Sequence, residues 1–102
     1  MLKKIKKILE KHVGKENAIS AAKIAKLIGK QEDDTHARTR DILFKTAKKY
    51  KLPLAATSKG YYLIETEDEY NEYIDNLNKR IKGIKKRKKI ITENYKGHRN
   101  ED

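Results

Sequence analysis

The stretch that decides the fold is a helical pattern, Thr35-His36-Ala37-Arg38-Thr39-Arg40-Asp41-Ile42-Leu43-Phe44-Lys45-Thr46-Ala47-Lys48-Lys49-Tyr50, running into Leu52-Pro53-Leu54-Ala55-Ala56-Thr57, Ser58-Lys59-Gly60 and Tyr61-Tyr62-Leu63-Ile64. Leu43, Ala47 and Tyr50 stand at i, i+4, i+7 with Phe44 beside them, which predicts one apolar helix face. Arg38, Lys45 and Lys49 fall on the opposite face. The two β-prone runs flank Ser58-Lys59-Gly60, where Gly60 supplies the positive φ of a tight turn. Tyr61 and Tyr62 alternate along the second strand, so one ring is expected inside and the other outside. A basic helix thus leads into a hairpin with a basic tip.

Outward from this stretch, the N-terminal part reads as two more helices. Leu2, Ile5, Ile8, Leu9 and Val13 recur at helical spacing with lysines between them, and Gly14 is expected to end that helix. Ser20 is a natural N-cap for the next, with Ala21, Ile24, Ala25 and Ile28 as its inner face and Gly29 at its close. A short β-bridge at Ala18-Ile19 is expected just before it. His12 lies beside the first apolar stripe, where packing or a helix-end role suits it better than ligation.

On the other side, Thr66-Glu67-Asp68-Glu69 is a capping box, with Thr66 as cap and Glu69 reaching back. Tyr70, Ile74, Leu77, Ile81, Ile84, Lys88 and Ile91 then alternate at spacings of four and three. That is heptad spacing, with only Lys88 polar at a core position. A helix over 67–94 would be about 42 Å long, too long to bury against so small a domain. Gly83 within it costs roughly 1 kcal/mol against Ala. Residues 96–102 lack periodicity and are expected to be a disordered tail.

With 102 residues, one domain spanning 1–64 plus an appended helix over 65–95 is expected. There are 26 Lys and Arg against 15 Asp and Glu, a net charge of +11, which favours polyanionic partners. The charge is zoned. Residues 65–78 carry six acids and no base, whereas residues 79–96 carry nine bases and one acid. The absence of cysteine excludes disulfides, thiolate catalysis and thiolate metal sites. The three histidines are scattered, no glycine-rich phosphate loop is present, and the acid pairs suit capping or solvation. Neither an enzyme, a cofactor nor a metal is read here. No apolar run spans a membrane and no leader pattern opens the chain, so a cytoplasmic protein is expected.

The ordered pattern Ile19-Ser20-x-x-x-Ile24-Ala25-x-x-Ile28-Gly29, a following helix, Leu52-Pro53-Leu54 and Ser58-Lys59-Gly60-Tyr61-Tyr62-Leu63 resembles the winged helix-turn-helix of the biotin-repressor type, over roughly residues 2–64. Similar small proteins occur in phages and mobile elements. The resemblance implies a mainly α (α+β) winged helix-turn-helix with a two-stranded wing, to which the long C-terminal helix is added. It also implies a second helix of the motif that enters the DNA major groove and a wing that touches the backbone or minor groove. Carried over, Thr35, His36, Arg38, Thr39, Lys45 and Lys59 become the candidate DNA contacts. Lys49 joins them as a phosphate contact beside Lys45, while Arg38 is placed to grip guanine. The chain departs from the family in Lys30-Gln31-Glu32-Asp33-Asp34. Either the turn is extended there, or the helix begins early on an Asp33 or Asp34 cap. Arg40 departs as well, at a position that usually faces the core.

These residues lead to a sequence-specific, double-stranded-DNA-binding regulator that dimerises through Tyr70, Ile74, Leu77, Ile81, Ile84 and Ile91. An antiparallel homodimer is favoured, because it sets the acidic zone against the basic one. Two alternatives stand beside it. One is a phage or mobile-element module that docks on host, replication or restriction machinery; the other is an RNA or single-strand binder that uses Tyr61 or Tyr62 for stacking.

Overall fold

The computed structural model describes residues 1–29 and 37–99, and of Arg99 the backbone only. The chain is mainly helical, with one two-stranded antiparallel sheet. It divides into two compact units, Met1–Tyr70 and the part from Asn71 onward.

In the first unit, α1 (Leu2–Glu10) buries Ile5 and Leu9 completely. It stops at Lys11, short of the expected end at Gly14. Competition for the backbone explains the early stop. The Leu63 N–H donates to the His12 carbonyl at 2.9 Å, and the Gly14 N–H donates to the Leu63 carbonyl at 2.8 Å, so residues 12–14 pair with a strand. The loop that follows is stapled to itself. His12 Nδ1 lies 2.8 Å from the Asn17 carbonyl, and Asn17 Nδ2 donates to the Val13 carbonyl at 2.9 Å. Ile19 and Tyr61 then exchange two backbone hydrogen bonds of 2.8 Å, which is the expected bridge.

Ser20 caps α2 (Ala21–Leu27), its hydroxyl accepting from the Lys23 N–H at 3.2 Å. Ile24, Ala25 and Ile28 are buried. The 14 residues of α3 (Ala37–Tyr50) bury Thr39, Leu43 and Thr46, with Ala47 and Tyr50 half-buried. Thr46 fits the core because its hydroxyl donates to the Ile42 carbonyl at 2.7 Å, satisfying the polar group within the helix. Two expectations are corrected here. Phe44 is 48% exposed, since it lies one position, about 100°, round the helix from Leu43. Arg40 is also exposed, and Thr39 takes the inward position beside it. Helix α3 closes through a left-handed Lys51 (φ 55°) and a 2.9 Å bond from the Leu52 N–H to the Ala47 carbonyl.

Strands β1 (Leu54–Thr57) and β2 (Gly60–Leu63) pair from Leu54↔Leu63 to Thr57↔Gly60, leaving Ser58-Lys59 as a two-residue turn. Gly60 has φ +123°, and a Cβ there would lie 2.5 Å from the Ile19 carbonyl oxygen. Both the turn and the bridge to Ile19 therefore require glycine. Tyr61 and Tyr62 are both buried, which corrects the expectation of one exposed ring. Tyr61 joins the main core with Ile5, Leu9, Ile24 and Leu43. Tyr62 faces the other way, opposite the fully buried Ala55, so the sheet is covered on both faces. The outer edge of β2 is occupied at Val13 and Ile19, which protects it from stray pairing.

Helix α4 (Glu67–Arg99) has 33 residues, about 50 Å at 1.5 Å each. Thr66 caps it, its hydroxyl accepting from the Glu69 N–H at 3.1 Å. Glu69 does reach back, but to the N–H of Glu65 and of Lys15, each at 2.9 Å, rather than to the cap residue's own N–H. The helix continues through Lys96-Gly97-His98 to Arg99, where a tail was expected. A single Gly97 costs about 1 kcal/mol but does not stop a helix that has no proline or competing cap. Residues 100–102 lie outside the described residues.

Candidate nucleic-acid interface

Burial of Thr39, Leu43 and Thr46 fixes the rotation of α3 and so decides which side chains face solvent. The exposed arc holds Arg38, Arg40, Lys45, Lys48 and Lys49, with Asp41 as its one acid and Phe44 near its middle. At 100° per residue, Arg38, Lys45 and Lys49 fall within about 40° of each other on one flank. Arg40 stands on the other flank, and Asp41, Phe44 and Lys48 lie between. Lys49 Nζ lies 5.5 Å from the Tyr50 ring centroid and Lys6 Nζ 5.0 Å, so α1 and α3 share one aromatic cation contact.

Not every residue expected to touch DNA is available. Thr39 is 1% exposed, so its side chain belongs to the α3 packing face and leaves the contact set. Thr35 and His36 lie outside the described residues, as does the turn over 30–34 with its alternative caps. Arg38, Lys45 and Lys49 share one exposed flank, and Lys59 is exposed at the hairpin tip. Lys59 also lines a shallow open depression with Lys15, Glu16 and Ala18. Sequence reasoning counted Arg40 with Arg38 near the base-reading end of the helix yet placed it toward the core, set Phe44 on the apolar face and left Lys48 out. Only the exact rotation of α3 reveals them, and that rotation depends on two threonines acting as core residues.

A carboxylate latch closes the segment after α1 onto the first turn of α4. Glu69 accepts from the Lys15 N–H and the Glu65 N–H, and these two bonds, the first the larger, hold its carboxyl below the ordinary carboxylate range. Between them they tie the loop after α1 to the start of α4.

Along α4, the positions expected for dimerisation lie on one stripe. Tyr70, Ile81, Ile84 and Ile91 are 49–61% exposed, while Ile74 and Leu77 are half-buried. Because the helix continues, Tyr95, 60% exposed, extends the stripe by one more position. Apart from Glu67, which falls in line with the stripe at its N-terminal end, the acids of the first half do not flank it. Asp68, Glu72 and Asp75 fall on the far side of the helix, and Asn71, Asn78 and Tyr73 occupy the flanking positions. Close acid-to-base pairing across the stripe is therefore not what an antiparallel dimer would gain.

Among the described residues no cluster of acids and histidines is placed to hold a metal ion, and no helix is long and apolar enough to cross a membrane. Comparison with protein families, curated proteins and solved structures finds no match to this chain.

Proposed function

We propose that this chain is a sequence-specific duplex-DNA-binding protein, a small transcriptional regulator with a winged helix-turn-helix in which α2 and α3 form the helix pair and β1–β2 the wing. The observation that carries the reading is the exposed face of α3, with five cations around one acid and one aromatic ring. Cations suit phosphates. A purely electrostatic binder, however, gains nothing from Asp41 in their midst, because an acid repels every phosphate alike. Asp41 makes sense against a base edge, where a carboxylate accepts from cytosine N4. Phe44 suits a thymine methyl in the same groove. The buried Tyr61 and Tyr62 remove the stacking rings on which a single-strand reading relied.

Dimerisation along α4 belongs to the proposal, and antiparallel pairing remains favoured for a different reason. In a parallel pair Lys88 would meet Lys88 of its own copy in the core, whereas in an antiparallel pair it faces an apolar position. A second reading, a module that docks on a protein, draws on Phe44, which is the kind of side chain that anchors interfaces. Selection of bound sequences from random duplex DNA at physiological salt separates the two. An enriched motif supports the regulator; recovery of no motif from a folded chain rejects it.

A further inference from the structure

Helix α4 carries a second pattern, set apart from its apolar stripe. The 3–4 alternation of Asp68, Glu72, Asp75, Lys79, Lys82, Lys86, Lys89, Glu93 and Lys96 places all nine on one ridge, and every one is exposed. The ridge is acidic for its first three positions and then lysine for four. It lies roughly 120–180° round the helix from the stripe of Ile81, Ile84, Ile91 and Tyr95. Counting every face, residues 79–89 hold eight Lys or Arg and no acid over about 15 Å.

Two ordinary explanations of such lysines fall short. The helix macrodipole favours cations only in the last turn, and Lys79 to Lys89 lie several turns before Arg99. Solubility is served by interspersed charges of both signs, not by one sign on every face of three turns. So dense a charge opposes itself unless a polyanion offsets it. Duplex DNA presents one negative charge per ~1.7 Å, a density that matches this segment. We infer that Lys79, Lys82, Lys86 and Lys89 form a phosphate-backbone site for duplex DNA on α4, separate from α3 and the hairpin. The inference rests on the duplex-binding reading above. Because the ridge and the apolar stripe are different faces, DNA on one leaves the other open to a second copy.

The test uses the full chain with all four lysines replaced by Gln, which keeps helix propensity close to that of Lys. Binding to a random-sequence duplex of about 40 base pairs is measured against salt, beside a variant carrying Arg38→Gln, Lys45→Gln and Lys49→Gln. The ridge variant should lower the slope of log K against log salt by about 3–4, and weaken random-duplex binding roughly 10²–10³-fold at ~0.15 M salt. Its preference among sequences and its sedimentation as a dimer should stay as in the wild type. An unchanged slope in a folded ridge variant overturns the site. So does a variant that still binds duplex normally but no longer binds phosphatidylserine vesicles, since the polyanion would then be a membrane. If the α3 variant loses sequence preference while the ridge variant is silent, the regulator reading stands and the ridge falls. If the wild type binds no duplex at ~0.05 M salt, both fall.

Discussion

Helices α1 and α4 are written in the same alphabet, isoleucines at three-to-four spacing among lysines, and meet opposite fates. In α1, Ile5 and Leu9 are completely buried, because nine residues are short enough for α3 and β2 to cover. In α4, Ile81, Ile84 and Ile91 are half exposed or more, and from Asn71 onward no described residue is buried. Periodicity states that a face needs covering. Length decides whether the same chain can do it.

The largest effect should come from breaking the covered side of this contrast. Leu43→Ala removes a completely buried side chain from α3 and should cost about 2–5 kcal/mol in a urea melt. Ile84→Ala should change the same melt by no more than ~0.5 kcal/mol at low protein concentration, yet weaken self-association in sedimentation. Equal costs for the two would mean that α4 is already packed in the single chain, and the contrast would be lost.

A neighbouring pair on α3 sharpens the point. Thr39 is buried and Arg40 exposed, the reverse of what the sequence suggested. Arg40→Ala should leave the thermal melt nearly unchanged and weaken binding to a selected duplex by about 1–3 kcal/mol. Thr39→Val should do the opposite, leaving duplex binding intact while costing about 1 kcal/mol of stability through its hydroxyl. A melt lowered by Arg40→Ala with no loss of binding would restore Arg40 to a packing role.

Much of this was legible beforehand, for local physical reasons. The Ser20 cap, the Thr66 cap, the bridge at Ile19 and the Ser58-Lys59 turn depend on a few residues close in sequence. Several of the misreadings involve packing or pairing between residues far apart in sequence, although the run of α4 past Lys96 does not. Helix α1 ends early because β2 takes up residues 12–14, which no window around Gly14 reveals. The rotation of α3 turned on Thr39 and Thr46, polar residues that become core once their surroundings and the Ile42 carbonyl accept them. Tyr62 is covered on a sheet face that alternation assigned to solvent. Of the proposed site, the cations Arg38, Arg40, Lys45, Lys49 and Lys59 were readable as charge on the motif, whereas Lys48, Phe44 and the side on which Arg40 lies needed the helix rotation.

The smallest effect concerns the latch where the two kinds of region meet in sequence. Glu69 is ionised to accept from the Lys15 and Glu65 N–H groups, and both bonds depress its folded pKa below the ordinary 4.5. A depressed carboxyl pKa stabilises the fold at pH above its unfolded value, and that contribution disappears as pH falls through the folded value. Stability should therefore decline on acidification below about pH 4.5, with Glu69 supplying part of the slope. The whole-chain profile sums over every ionisable group and so cannot assign that part. The difference between wild type and Glu69→Gln can, because Gln has one acceptor oxygen for two N–H donors and does not ionise there. Melts of the two should differ at pH 7 and converge as pH falls below the folded value. A constant difference down to pH 2 would show that Glu69 acts through packing alone, leaving Thr66 as the cap that fixes where α4 begins.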